Sequence, residues 1–130
     1  MAGRVLVVED DAISRKLAQD VLQANDFVVT CVESGEAGLR ALFEAPVDLI
    51  VIDIKLPGID GLEVTRRVRS NPATAQIPVL AVTAQAMAGD EERILAAGCT
   101  AYLPKPLHFA TFVATVQKLI ALEGPPRAAE

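Results

Sequence analysis

Cysteine, histidine and long apolar runs are all scarce in this 130-residue sequence, and each scarcity removes a class of protein. The two cysteines, Cys31 and Cys99, form no CxxC pair and no disulfide framework. A stapled extracellular scaffold is therefore excluded, and a reducing cytosol with two small buried thiols is expected. The lone histidine, His108, builds neither a metal site nor a phosphodonor by itself, so a surface place at the start of the last helix is expected. No stretch approaches the ~20 apolar residues of a membrane span. The opening "MAGRVLVVEDD" meets acidic residues too soon for a signal peptide. A cytoplasmic chain with no membrane insertion is the expectation. Positive charge is short as well: the net charge of −5 argues against direct binding of nucleic acid or an anionic membrane surface. A basic protein or a divalent cation suits that balance better.

What is present is a globular composition, 52% hydrophobic and 22% charged, at a length that fits one domain with a sizeable core. Short apolar runs alternate with amphipathic segments. "RVLVVED", "FVVTCV", "VDLIVID", "IPVLAVT" and "TAYLPKP" read as strands. Between and after them, "DAISRKLAQDVLQAND", "SGEAGLRALFEA", "LEVTRRVRS", "AQAMAGDEERILAAG" and "HFATFVATVQKLIALEG" read as helices. Ile13, Leu17, Val21 and Leu22 recur at helical spacing, as do Ala37, Leu39, Leu42 and Phe43. Asp11 and Ser34 are expected N-caps, and Gly98 marks a helix end. The first four strands are almost unbroken apolar runs, as strands covered on both faces are. Five βα units imply an α/β fold, a doubly wound parallel sheet with right-handed crossovers and helices on both faces. The domain is expected over residues 1–122, with a short tail at 123–130.

All strands of a parallel sheet point one way, so their downstream ends share an edge, which is where open α/β sheets bind ligands. The residues at those ends are Glu9 and Asp10, then Asp53, Thr83 and Lys105. Asp53 directly follows "LIVI", and a charge there is costly unless paired. Three converging carboxylates repel and raise one another's pKa values. A divalent cation relieves that repulsion, and a set of oxygen ligands without histidine or cysteine points to Mg²⁺. A carboxylate nucleophile, a metal, the Thr83 hydroxyl and the Lys105 ammonium together suit the transfer of a phosphoryl group. Each residue alone has a plainer reading. "EDD" after a strand serves as a helix cap as readily as a ligand set, Lys105 reads as a solvated lysine, and Thr83 as an ordinary strand residue. Their joint occurrence at strand ends favours a site.

With these residues in place, residues 4 to about 122 resemble the receiver domain of bacterial two-component response regulators. The resemblance rests on "VLVVEDD", "DLIVIDIKLPGIDGLEV", "IPVLAVTA" and "AYLPKP", with 30 residues from Asp53 to Thr83, 19 on to Tyr102 and three more to Lys105. "VTAQAMAGDEERILAAGCTAYLPKP" and "GLEVTRRVR" look most like the single-domain members that act in cell division and polarity. The resemblance implies a flavodoxin-like sheet of strand order 2-1-3-4-5 with five helices. It implies that Asp53 accepts a phosphoryl group from a histidine kinase or a histidine phosphotransfer protein. Asp10, Asp53 and the backbone carbonyl of Lys55 would bind Mg²⁺ directly, with Glu9 helping through water. Glu9 stands where many relatives have aspartate. Lys105 would contact the phosphoryl oxygens, Pro106 would follow a cis peptide bond, and Thr83 and Tyr102 would form a switch pair.

On this reading the chain is no enzyme beyond its own phosphorylation and acyl-phosphate hydrolysis. Only "EGPPRAAE" follows residue 122, so output through a downstream protein target is expected, at a face around the fourth helix, fifth strand and fifth helix. Lys55 and Gln85, two residues past Asp53 and Thr83, are expected to set the acyl-phosphate lifetime. A haloacid-dehalogenase-type phosphohydrolase is disfavoured because it needs an acid where Lys55 stands and a cap segment. A pseudo-receiver is disfavoured by the complete site set, and a flavodoxin-like cofactor binder by the missing glycine-rich loop. Arg66, Arg67 and Arg69 read as a solvated face. Phe109, Phe112, Val113 and Val116 read as a core stripe, while Met87 fits either core or partner contact.

Overall fold

The computed structural model describes residues 3–84 and 89–122. Its strands are β1 (Gly3–Val8), β2 (Phe27–Val32), β3 (Leu49–Asp53), β4 (Val79–Thr83) and β5 (Ala101–Pro104). Its helices are α1 (Ala12–Gln23), α2 (Gly35–Glu44), α3 (Gly61–Ser70), α4 (Asp90–Ala96) and α5 (Phe109–Leu122). The strands form one parallel sheet in the order β2-β1-β3-β4-β5, as the resemblance implies. Gln85, Met87 and the expected tail at 123–130 lie outside the described residues. Among the described residues no helix is long and apolar enough to cross a membrane.

Alternation along the strands divides the core in two. One cluster holds Leu6, Val8, Ile50, Ile52, Val79 and Ala81 under α2, α3 and α4; the other holds Val5, Val7, Leu49, Val51, Leu80 and Val82 under α1 and α5. Every residue of β3 and β4 is buried, because helices cover both faces and each side chain has a neighbour whichever way it points. Asp53 and Thr83 close these two strands, so burial delivers one carboxylate and one hydroxyl to the same edge.

Local chemistry fixes where the helices begin and end. The Asp11 carboxylate accepts the Ser14 N–H at 2.8 Å, Ser34 accepts from Ala37, and Asp60 accepts from Glu63, each occupying an otherwise orphaned donor of a first turn. Helix α4 ends with Gly98 at φ 109°; the Gly98 N–H bonds the Leu95 carbonyl and the Cys99 N–H the Ile94 carbonyl, a Schellman pair.

Several apolar positions differ from the expected stripes. Ile13 is 72% exposed, Leu17 46% and Phe109 45%, whereas Leu22, Phe112 and Val116 are buried and Val21 and Val113 half-buried. Helices α1 and α5 lie side by side on one face, and Leu17 and Phe109 line a cavity there instead of closing into the core. Phe43 is 82% exposed at the end of α2, with Leu39 and Leu42 half-buried against the core. Cys99 is buried as expected, but Cys31 on edge strand β2 is half-buried. Arg66 and Arg67 are exposed and paired to Glu63, but Arg69 is half-buried and donates to the carbonyls of Ala75, Ile77 and Gly98. The solvated-face reading holds for two of the three arginines; the third is a tether between α3 and the chain around β4 and β5.

Candidate phosphoacceptor site

Strand β1 ends at Val8, so Glu9 and Asp10 occupy the first two positions beyond the sheet. The Glu9 N–H donates to the Val32 carbonyl at 3.1 Å, extending the β1–β2 ladder by one bond and keeping the side chain at the edge. Asp53 ends β3 next door, and Lys105 follows β5 with its N–H donating to the Thr83 carbonyl at 2.8 Å. The Lys105–Pro106 peptide is cis, as expected. Residues far apart in sequence thus meet: Lys105 Nζ lies 2.7 Å from Glu9 Oε1 and 3.2 Å from Asp53 Oδ2. Oxygens of Glu9, Asp10 and Asp53 all lie within 4.8 Å of one another.

Each carboxylate is held differently. Asp53 is buried and engaged at both oxygens, Oδ2 by Lys105 and Oδ1 by the Lys55 N–H at 3.1 Å. Glu9 is also buried, and its Oε2 accepts the Asp11 N–H at 3.1 Å. Asp10 is exposed, and among the described residues its carboxylate has no partner. Burial pushes the Glu9 pKa up; the Lys105 ammonium and the Asp11 N–H pull it down without cancelling that, and Asp53 adds a smaller upward push. The mutual repulsion read from the sequence is therefore real but secondary to desolvation at Glu9. For Lys105, burial pulls the pKa down, yet the hydrogen bond to Glu9 and the charges of Asp53 and Glu9 outweigh it and leave it raised.

The remaining expected residues fall around this centre. Thr83 is buried at the end of β4, and strand alternation puts it on the same sheet face as Tyr102. Tyr102 pairs with Ala81 in register and packs half-buried against the cluster under α2, α3 and α4. The Lys55 side chain is exposed. His108 is exposed immediately before α5, and its carbonyl accepts the Phe112 N–H. Two further residues shape the site: Gly61, expected from the sequence to form a tight loop after Asp53 with Pro57 and Gly58, and Arg15, which a sequence reading misses. Gly61 lets the start of α3 press against β3: a Cβ there would meet the Asp53 carbonyl oxygen at 2.5 Å and Ile54 Cα at 2.9 Å. Arg15, on α1, reaches back to the carbonyls of Glu9 and Asp10.

A cavity of about 180 Å³ opens beside the acids, floored by Val51 and Val82 and walled by Leu17, Leu107 and Phe109. Glu9, Asp53 and Lys105 line its polar end. The donor set fits a hard divalent ion: three carboxylates converge from two strand ends, with one of them solvent-facing. Glu9, Asp10 and Asp53 are the residues that would hold it.

The fold, the edge site and its acids define a receiver. The response regulator receiver domain family matches residues 5–117, and the chain belongs to that family. Among curated proteins it is similar to the polar-differentiation response regulator DivK of Brucella ovis, at 40% identity over 120 residues, covering 92% of this chain and 98% of that protein. Among solved structures, it is similar to the receiver domain of a sensor histidine kinase from Pseudomonas aeruginosa, which has a magnesium ion coordinated in its active-site cleft. That match has 32% identity and a TM-score of 0.85, over 92% of this chain and 98% of that one. A chemotaxis response regulator of Vibrio cholerae matches at 27% identity and a TM-score of 0.85, over 89% and 97% of the two chains.

Proposed function

We propose that this receiver accepts a phosphoryl group on Asp53 in the cytoplasm, from a histidine kinase or histidine phosphotransfer protein, and passes its state to a downstream protein. The observation that carries the reading is the Asp53 carboxylate, fixed at both oxygens at a strand end where two further acids and a lysine converge. In the transfer, an Asp53 oxygen attacks phosphorus, the N–P bond of the donor imidazole breaks, and its electron pair stays on the ring nitrogen. Asp10, Asp53 and the Lys55 backbone carbonyl, with Glu9 helping through water, would hold a Mg²⁺ ion that would supply charge stabilisation for the phosphoryl oxygens. Lys105, already on Asp53, moves its ammonium onto the new oxygens. Thr83 turns its hydroxyl towards them, and Tyr102 follows on the same sheet face, a two-state equilibrium biased by one new charge. No external substrate is turned over.

The donor's approach is favoured from the side of α1 and α5, where Leu17 and Phe109 stand exposed at the cavity that reaches Asp53 and Ile13 is exposed on the same helix as Leu17. Incubation with Mg²⁺ and acetyl phosphate, read by intact mass, tests the chemistry. A phosphoryl adduct that requires Mg²⁺ and is lost in Asp53→Asn is expected; absence of any adduct, also with a histidine phosphodonor, overturns the reading.

A further inference from the structure

The acidic loop between β1 and α1 is held by a side chain that the chemistry above does not use. Arg15 Nη1 donates to the Glu9 carbonyl at 3.0 Å and to the Asp10 carbonyl at 3.4 Å. Its Nη2 lies 3.8 Å from Glu33 Oε1, just beyond β2, and the side chain is 21% exposed. The Glu9 peptide is therefore fixed on both sides, by Val32 through its N–H and by Arg15 through its C=O. Asp10 depends on this more than Glu9 does, because its carboxylate has no partner of its own among the described residues. No side-chain partner then fixes that oxygen, and the backbone sets the range its rotamers can reach.

We propose that Arg15 is a positioning residue for the metal-binding loop, whose guanidinium fixes the Glu9 and Asp10 peptides and thereby sets the affinity for Mg²⁺. The inference rests on reading the acidic cluster as a Mg²⁺ site. Groups that orient ligands from behind tune metal affinity about as strongly as some ligands do. A planar fork that sets one nitrogen on the two carbonyls and turns the other towards Glu33 is a task for arginine and not for lysine.

Simple electrostatics predicts the opposite sign. A cation near a divalent site repels the metal, so removing it would tighten binding. Calorimetric titration of MgCl₂ into the wild type, Arg15→Ala and Arg15→Lys separates the two. Positioning predicts about tenfold weaker binding in Arg15→Ala and an intermediate loss in Arg15→Lys, which keeps the charge and loses the fork. Melting curves without Mg²⁺ identify the folded variants, and if Arg15→Ala does not fold, Arg15→Lys decides. Affinity unchanged or tighter in the folded variant, with or without a lower melting temperature, overturns the proposal. A wild type that binds no Mg²⁺ overturns the metal reading itself, which is a separate result.

Discussion

One ammonium between two buried carboxylates governs the charge balance of the site. Lys105 offsets one of the two negative charges of Glu9 and Asp53, and a divalent cation would compete with it for the same oxygens. Replacing it by methionine leaves two buried acids facing each other. Lys105→Met is expected to lose about 2 kcal/mol, less than the ~3–5 kcal/mol of a fully buried pair because the ammonium keeps some solvent. Its folded-state pKa lies above 10.5, so this stability is present below that pH and lost as the pH rises through the folded value. Urea unfolding at pH 8 and at increasing alkaline pH should show the gap between wild type and Lys105→Met closing; a constant gap would refute the ion-pair account. Glu9 has the opposite consequence. Its pKa is raised above 4.5, so the folded state favours its protonated form and ionised Glu9 is a net cost at neutral pH. Mg²⁺ needs the ionised form, so affinity measured by calorimetry should fall as the pH is lowered towards Glu9's raised pKa, and more shallowly in Glu9→Gln.

At the scale of elements, the junction of β3 and α3 is the tightest point near the site. Because a Cβ at position 61 would strike backbone on Asp53 and Ile54, neither of which can swing away, Gly61→Ala must push the helix start or the end of β3. We expect a loss of roughly 2 kcal/mol in urea unfolding and slower Mg²⁺-dependent phosphorylation. A variant as stable and as reactive as wild type would show that the junction yields. The strands, the caps at Asp11 and Ser34 and the end of α4 were legible because each has a local signature: an unbroken apolar run, a short oxygen before a first turn, a glycine after a last one. Asp53, Glu9, Asp10 and Lys105 were legible because parallel topology turns strand ends into neighbours. Ile13, Leu17 and Phe109 misled, since periodicity shows which residues share a helix face but not which of them a neighbour covers. Arg69 and Arg15 were hidden for another reason: both donate to backbone carbonyls, and a carbonyl leaves no mark in a sequence.

Seen whole, the molecule places apolar surface next to its most polar spot. Leu17 and Phe109 are partly exposed in the wall of a cavity that ends at Asp53 and Lys105, and Ile13 stands exposed on the same helix as Leu17. Ile13→Ser combined with Phe109→Ser is expected to cost about 1–2 kcal/mol in stability, most of it from the partly covered Phe109, and to leave the protein folded. Phosphorylation by acetyl phosphate should be unchanged, while transfer from a phosphohistidine protein falls at least about tenfold, the equivalent of 1.4 kcal/mol of contact. Equal loss with both donors would place the defect in the site and not in docking.

The bond from Lys105 to Glu9 spans 96 positions of the chain. During synthesis, a chain that has grown through β4 already carries Asp53, Glu9 and Asp10 but lacks the lysine and the strand that delivers it. The site is thus completed only when β5 delivers Lys105 to acids made long before it, so the first four strands cannot assemble it on their own.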